Sequence, residues 1–399
     1  MTTIPRAVDS VRSSTTAGTA KTAQLTVAVK AAARASGAAV VRIASAEPDA
    51  AARERMQAAF ARNDLATWPY DDAYARAASD PGTLLAGARS VICVAMPYAT
   101  PQPAERRGRG RVSAYAWSAD YHRRMQALLR EIAARVDALA GAPVTRVACD
   151  TAPLAERAFA ARAGLGWIGK HTSLIVNGLG SAVFLGEIVT TLALEPDPPL
   201  RTSCGACTRC VDVCPTGALR GDRTMDATRC ISDLTQRRDA IPRALRPLVG
   251  TWVWGCDLCN DVCPPSQRAG ARGGPASAPL DGATAAPDLQ ALLRLRGAAF
   301  RRLRASAMGW RGPVVLRRNA AVALGNELDR AAVPALVESL GADRSPLVRG
   351  HAAWALGRIA SPRAYGALQN ARASEADPFV LDEIGAALEP IGPARPFQA

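Results

Sequence analysis

Eight of the ten cysteines in this 399-residue chain lie between positions 204 and 263, in a spacing that leaves few folds open. Cys204, Cys207, Cys210 and Cys214 read C-x2-C-x2-C-x3-C and are followed by Pro215. Cys256, Cys259 and Cys263, followed by Pro264, repeat the second half of that run. Its first member is supplied by Cys230, set upstream by the insert 231–255. Runs of this kind hold 4Fe–4S clusters, and the fourth cysteine of each run ligates the other cluster. On that rule Cys204, Cys207, Cys210 and Cys263 hold one cluster; Cys214, Cys230, Cys256 and Cys259 hold the second. Zinc sites read instead as two separated C-x2-C pairs, and disulfides require an exported chain. Cys93 and Cys149 sit in apolar runs outside the pattern and are expected to be buried, inert thiols.

The chain is too long for one ordinary core and predicts two or three domains. No stretch approaches ~20 uninterrupted apolar residues, so no membrane span is expected. Residues 1–22 lack the apolar centre of a signal peptide and paired arginines; a disordered tail on a cytoplasmic protein is expected. Net charge is +14, with 49 basic residues. Two oxidised clusters with their thiolates would remove about four charges, leaving an excess that favours a polyanionic partner. The charge is clustered: eight arginines and no acid lie between Arg294 and Arg318. Arg106, Arg107, Arg109 and Arg111 form a second basic stretch.

Along the chain, a helical pattern from about Thr22 stops at Gly37 and is followed by the apolar run AAVVRIA. A second helix is predicted over 49–62, a buried strand over 89–96, a helix over 118–140 and a strand over 144–148. That last strand delivers Cys149, Asp150 and Thr151 to its C-terminal end, ahead of a helix stopped by Gly164. Alternating strands and helices indicate α/β layers. The Gly-rich segment 164–192 predicts a hairpin, whose Lys170, His171, Thr172 and Ser173 suit a loop holding a polar ligand. Residues 268–286 read as a linker and 287–312 as a basic helical connector. In 313–392, Asn319–Gly325 (NAAVALG) recurs 32 residues later as His351–Gly357 (HAAWALG), the mark of short HEAT-type repeats with one free face.

This combination resembles the epoxyqueuosine reductase family. The resemblance is carried by Ala119–His122 (ADYH), Asp150–Arg157 (DTAPLAER) and Ala163–His171 (AGLGWIGKH). It extends through the eight cysteines, Cys230–Thr235 (CISDLT) and the RRNAAVALGN of the tail. It runs from about residue 25 to residue 390. It implies a nitroreductase-like α/β cobalamin domain (23–200), a ferredoxin-like two-cluster domain (201–267) and C-terminal HEAT-like helical repeats. It also implies reduction of epoxyqueuosine at the tRNA wobble position to queuosine through base-off cobalamin. Asp150 is implied as proton donor, which requires a raised pKa. Arg157, Lys170, His171 and Ser173 are implied at the corrin edge, with Ser113 near the corrin and Ser232 near the first cluster.

Two departures stand out. The stretch 61–78 (ARNDLATWPYDDAYARAA) lacks the family's Gly-rich form, and the cobalamin signature D-x-H-x-x-G begins at Asp120 but has Met125 in place of its glycine. His122 is therefore not expected to ligate cobalt. Expected partners are the tRNA anticodon stem-loop, bound across 294–318 and the repeat face, and a low-potential donor such as flavodoxin or ferredoxin. A monomer is expected. A reductive dehalogenase-like enzyme shares the cofactor plan but is normally exported and acts on neutral organohalides. A simple electron carrier would not need the ~200 residues ahead of the clusters.

Overall fold

A computed structural model of the chain describes residues 9–98, 103–270 and 284–389. Helix α1 (Asp9–Ala35) begins inside the segment expected to be a disordered tail through residue 22. The apolar run after Gly37 forms β1 (Val40–Ser45). Helices α2 (Ala50–Ala61) and α3 (Asp72–Ser79) follow, each started by an aspartate whose carboxylate accepts from a first-turn N–H: Asp49 from Ala52, Asp71 from Tyr74.

All eight residues of β2 (Ser90–Pro97) are buried, because the sheet is covered on both faces. Ile92, Val94 and Met96 pack toward α1, while Val91, Cys93 and Ala95 face the other core, the period of two that a strand imposes. A short β3 (Arg111–Val112) precedes α4 (Tyr121–Ala140), capped by Asp120 and stopped by Gly141 at φ 69°. Then come β4 (Thr145–Ala148), α5 (Glu156–Arg162), β5 (Gly166–Ile168), β6 (Leu174–Val176) and β7 (Val183–Thr190). The main sheet has the order β1-β2-β7-β4 and is antiparallel throughout. The expected hairpin is β5–β6, and β7 leaves it to join the main sheet. A Cβ on Gly186 would stand 2.7 Å from Leu129 and 2.9 Å from Met125, so α4 lies directly on β7. Met125, where the cobalamin signature wants glycine, is a core residue with no exposure.

The cysteine region is built from single-turn helices: α6 (Arg209–Asp212), α7 (Ile231–Leu234), α8 (Arg246–Val249), α9 (Leu258–Asp261) and the slightly longer α10 (Pro264–Gly270). Between them β8 (Trp252–Trp254) pairs in parallel with β3, joining this region to the N-terminal lobe. The expected linker at 268–286 falls mostly outside the described residues, and its first residues belong to α10. Beyond it lie α11 (Leu289–Leu293) and α12 (Gly297–Leu303).

Five helices complete the chain: α13 (Pro313–Glu327), α14 (Val333–Ala342), α15 (Pro346–Ile359), α16 (Pro362–Ser374) and α17 (Pro378–Leu388). Each has proline in its first two positions, where no N–H is required. The repeated glycine explains the 32-residue period. A Cβ on Gly325 would meet Ala355 Cα at 2.8 Å, and one on Gly357 would meet Ala387 Cβ at 2.7 Å. Only glycine allows α13, α15 and α17 to pack this closely in a row.

The arginines of 294–318 are not one free basic face. Arg318 is fully buried and donates to the carbonyls of Leu234, Arg237 and Asp239. Arg317 and Arg296 share Asp343, and Arg294 pairs with Glu338. Asn319 donates to the carbonyls of Thr235 and Val253. The RRN of the tail thus fastens the repeats to the cysteine region, and Arg301, Arg302 and Arg304 remain exposed.

Candidate active site

β4 ends at Ala148, and the chain turns sharply at Asp150, which has φ 53°, the left-handed region that a non-glycine residue rarely occupies. Such strain persists only where the surroundings enforce it. Here the Asp150 N–H donates to Glu156 Oε1, and His122 Nε2 lies 2.9 Å from Asp150 Oδ2. The other ring nitrogen of His122 lies 2.6 Å from Asp120 Oδ1. A ring flanked by two carboxylates must donate from both nitrogens, so His122 is held as an imidazolium. The hydrogen bond to Asp150, and then that to Asp120, raises its pKa to about 9.

The same contact decides the state of Asp150. Its hydrogen bond to His122 outweighs burial and lowers its pKa below the usual carboxylate range. The raised pKa expected from the sequence is not found: an opposite charge 2.9 Å away favours the ionised form more than partial burial disfavours it. The proton instead resides on His122. Glu156, pushed up to about 7 by burial, titrates near neutrality. Asp150 is also not the cap of α5, whose N-cap is Ala155.

Asp150 and Glu156 open onto a cavity of about 210 Å³ lined also by Arg157, Ser173, Tyr98, Tyr121, Leu174, Val183, Phe184, Leu185, Ser181 and Asn260. Tyr121 stacks on Phe184 at 4.0 Å, giving the lining a flat aromatic surface. Asn260 follows Cys259 in α9, so part of the lining belongs to the cysteine region. In the hairpin beside the cavity, Trp167 Nε1 and His171 Nε2 are buried N–H groups without a partner.

The structure brings some expected residues together and separates others. Asp150, Arg157 and Ser173 share the cavity. His171 is buried beside it and held neutral, its pKa lowered by burial to about 4. Lys170 is not among the cavity's lining residues. Ser113 is not among the lining residues; it is buried, with its hydroxyl donating to Asp257 and Gly255 packed against it. Ser232 lies beside the second cysteine set rather than the first. It follows Cys230 at the start of α7, and its N–H, like that of Asp233, is directed at the Cys230 sulfur. His122, Tyr121, Glu156 and Asn260 were not singled out as site residues. For His122 and Glu156 the signal was present in ADYH and APLAER, but not the fold that makes them meet.

The thiols fall into two neighbourhoods. After burial, the charges that most raise Cys210 include Cys204, Cys263 and Cys207, and those on Cys263 are Cys204 and Cys207. Cys230 feels Cys214, Cys256 feels Cys259 and Cys230, and Cys259 feels Cys230, then Cys210 and Cys214. Cys263 thus sits with the run it does not belong to in sequence, as does Cys214. The two sets abut through Cys259 and Cys210. Cys93 and Cys149 are buried apart from both, their thiols pushed up by burial.

Comparison with known proteins agrees with this geometry. Residues 79–151 match the family described as epoxyqueuosine reductase QueG, DUF1730; residues 203–266 match a 4Fe-4S double cluster binding domain and 303–389 match HEAT repeats. The chain is 36% identical to the epoxyqueuosine reductase of Bacillus anthracis over 318 residues, 78% of this chain and 83% of that one. It is 42% identical to that of Xanthomonas campestris over 289 residues, 70% and 80% respectively. The chain belongs to the epoxyqueuosine reductase family. A crystal structure of epoxyqueuosine reductase with an epoxyqueuosine-modified tRNA-Tyr stem loop superposes with a TM-score of 0.84 at 31% identity, covering 92% of this chain and 98% of the other. The enzyme from Streptococcus thermophilus gives 0.80 at 29% identity, covering 90% and 97%.

Proposed function

We propose that this chain reduces the epoxide of epoxyqueuosine in a tRNA anticodon loop to the alkene of queuosine, with Asp150 and His122 managing the proton. The observation that carries the reading is the shared cleft: Asp150, bonded to His122 behind it, and Asn260, the residue after Cys259, line the same cavity. Reducing an epoxide to an alkene takes two electrons and two protons and releases water. A proton source and an electron source must therefore meet at one place.

Cys204, Cys207, Cys210 and Cys263 would hold one 4Fe–4S cluster and Cys214, Cys230, Cys256 and Cys259 the other. The crossed neighbourhoods of Cys263 and Cys214 are the donor arrangement that a pair of cubanes requires. Cys207 is the exposed member, which suits electrons arriving at the first set from a low-potential donor. They would pass to the second set, next to the cleft.

The cleft's residues fit base-off cobalamin. Its lining combines apolar and aromatic side chains with the polar Arg157, Ser173, Ser181 and Asn260, and the orphaned N–H groups of Trp167 and His171 are available to ring-edge carbonyls. Both nitrogens of His122 are engaged by carboxylates, so neither is offered to a metal. When bound, cobalamin would supply a strongly nucleophilic, redox-active centre for opening the ring. The protein's part is the proton. At neutral pH the His122–Asp150 pair holds one proton, on His122, which would reach the departing oxygen through Asp150, and the second proton of the reduction would come from solvent. Glu156 fixes the Asp150 backbone in its strained turn.

The basic surface supplies phosphate contacts, with Arg301, Arg302 and Arg304 exposed in the connector. Anaerobic reconstitution tests the reading. Eight iron atoms and one cobalt per chain are expected, with stem-loop affinity falling steeply with salt. Fewer than about half the iron, or affinity unchanged by salt, would overturn it.

A further inference from the structure

The stretch 61–78, which departs from its family's pattern, forms one side of an aromatic surface assembled from three parts of the chain. Trp68 is parallel to Tyr70, with centroids 6.3 Å apart and planes 7° apart, and Tyr70 touches Tyr74 at 4.2 Å. On its other side Trp68 stacks on Trp310 of the basic connector, at 6.0 Å and 27°. The Arg311 guanidinium lies over both indoles, 3.7 Å from Trp310 and 5.0 Å from Trp68. The indole N–H of Trp68 donates to Asp233 in α7, 3.1 Å away, so the central ring is fixed from the cysteine region.

A buried aromatic cluster would need no explanation, but this one is open. Trp310 is 50% exposed and Tyr70 41%, two of the six most exposed large apolar side chains among the described residues. The row also has a direction. Asp150 is the charge acting on the Tyr70 hydroxyl, and Asp150, Glu156 and Arg157 all act on Tyr74. One end therefore borders the cleft and the other reaches the arginine-rich connector. Arg238 adds a second positive charge beside Arg311.

Exposed aromatic rings interleaved with guanidinium groups are what unpaired bases stack on, and single-stranded loops are read in this way. A protein electron donor has a different point of approach, the thiol set with its exposed Cys207. We propose that Tyr70, Trp68 and Trp310, with Arg311, form a stacking platform for the unpaired loop bases beside the modified nucleotide, holding the loop while that nucleotide occupies the cleft. This rests on the tRNA reading and adds how the enzyme grips bases it does not modify.

The test measures affinity for an epoxyqueuosine-modified anticodon stem-loop, using reconstituted full-length protein and its Trp310→Ala and Tyr70→Ala variants. Iron content and melting temperature serve as checks on folding. Each variant is expected to bind on the order of tenfold more weakly, with the slope of log affinity against log salt unchanged. Stem-loops abasic at the nucleotide on either side of the modified one complete a cycle. At one of these positions the abasic change and Trp310→Ala should cost no more together than either alone. Folded variants that bind within twofold of wild type would overturn the platform. So would a lowered salt slope with additive losses, which marks phosphate contact, or an effect confined to electron transfer from reduced flavodoxin. Wild-type protein that does not bind the stem-loop would overturn the tRNA reading itself.

Discussion

Buried charge is treated in opposite ways at the two ends of this molecule. Where the repeats meet the cysteine region it is closed. Arg246 and Glu383 are almost completely buried and joined by two hydrogen bonds of 2.7 Å, with a third from Arg246 to the carbonyl of Ile241. His351 is buried, accepts or donates at both ring nitrogens, and has its pKa held well below normal by burial. In the N-terminal lobe the buried charge is left open. Glu187 has no exposure and no partner for either carboxylate oxygen, and burial followed by the charge of Glu156 pushes its pKa well above normal. Glu156 titrates near 7, and one proton is shared between His122 and Asp150. Fully partnered networks rigidify, whereas partly partnered ones cost stability and are kept where chemistry uses them.

The largest effect separating the two regions should come from Asp150→Asn. Turnover is expected to fall by roughly 10²–10⁴, with clusters and stem-loop affinity retained. Its counterpart in the repeats is Glu383→Ala, which leaves Arg246 buried and unpaired; denaturant unfolding should show a loss of about 3–5 kcal/mol. Equal stability losses from the two variants would break the contrast.

A smaller effect lies in the pH profile. The His122 pKa is raised from 6.5 to about 9, so its bond to Asp150 stabilises the fold fully below about 6.5 and is lost as pH rises through about 9. Turnover should fall over that upper range in wild type, and His122→Gln should remove this limb. Glu156 works in the same sense at lower pH. Its raised pKa means that the folded protein binds the extra proton, so stability declines as pH rises from about 4.5 to about 7. Melting temperatures of Glu156→Gln should be flatter across that window. The smallest expected effect is that of Glu187→Gln, an exchange of one neutral group for another, within about 1 kcal/mol at pH 7.

Some of this was legible in the residues and some was not. Cysteine spacing marks the double-cluster domain because a cubane constrains its ligands, and the repeated glycines carry the helical tail because close packing needs them every 32 residues. The strands at 40–45 and 90–97 follow from continuous apolar runs. The protonation of Asp150 was not legible, since it depends on His122, 28 positions away, arriving at 2.9 Å. Nor was the burial of Arg317 and Arg318. A run of arginines looks the same whether it faces solvent or bonds to carbonyls of another region, and only the fold shows Arg318 enclosed. The bond of Ser113 to Asp257 was not legible for the same reason: Asp257 lies in a region that sequence treats as separate.

The most direct measurement is anaerobic incubation of the reconstituted protein with epoxyqueuosine-modified stem-loop and a strong reductant, followed by mass analysis of the released nucleosides. The expected result is queuosine, lighter by one oxygen, from wild type, and unchanged epoxyqueuosine from Asp150→Asn protein with the same iron and cobalt content. Full conversion by that variant, or none by wild type carrying its full metal complement, would contradict the account.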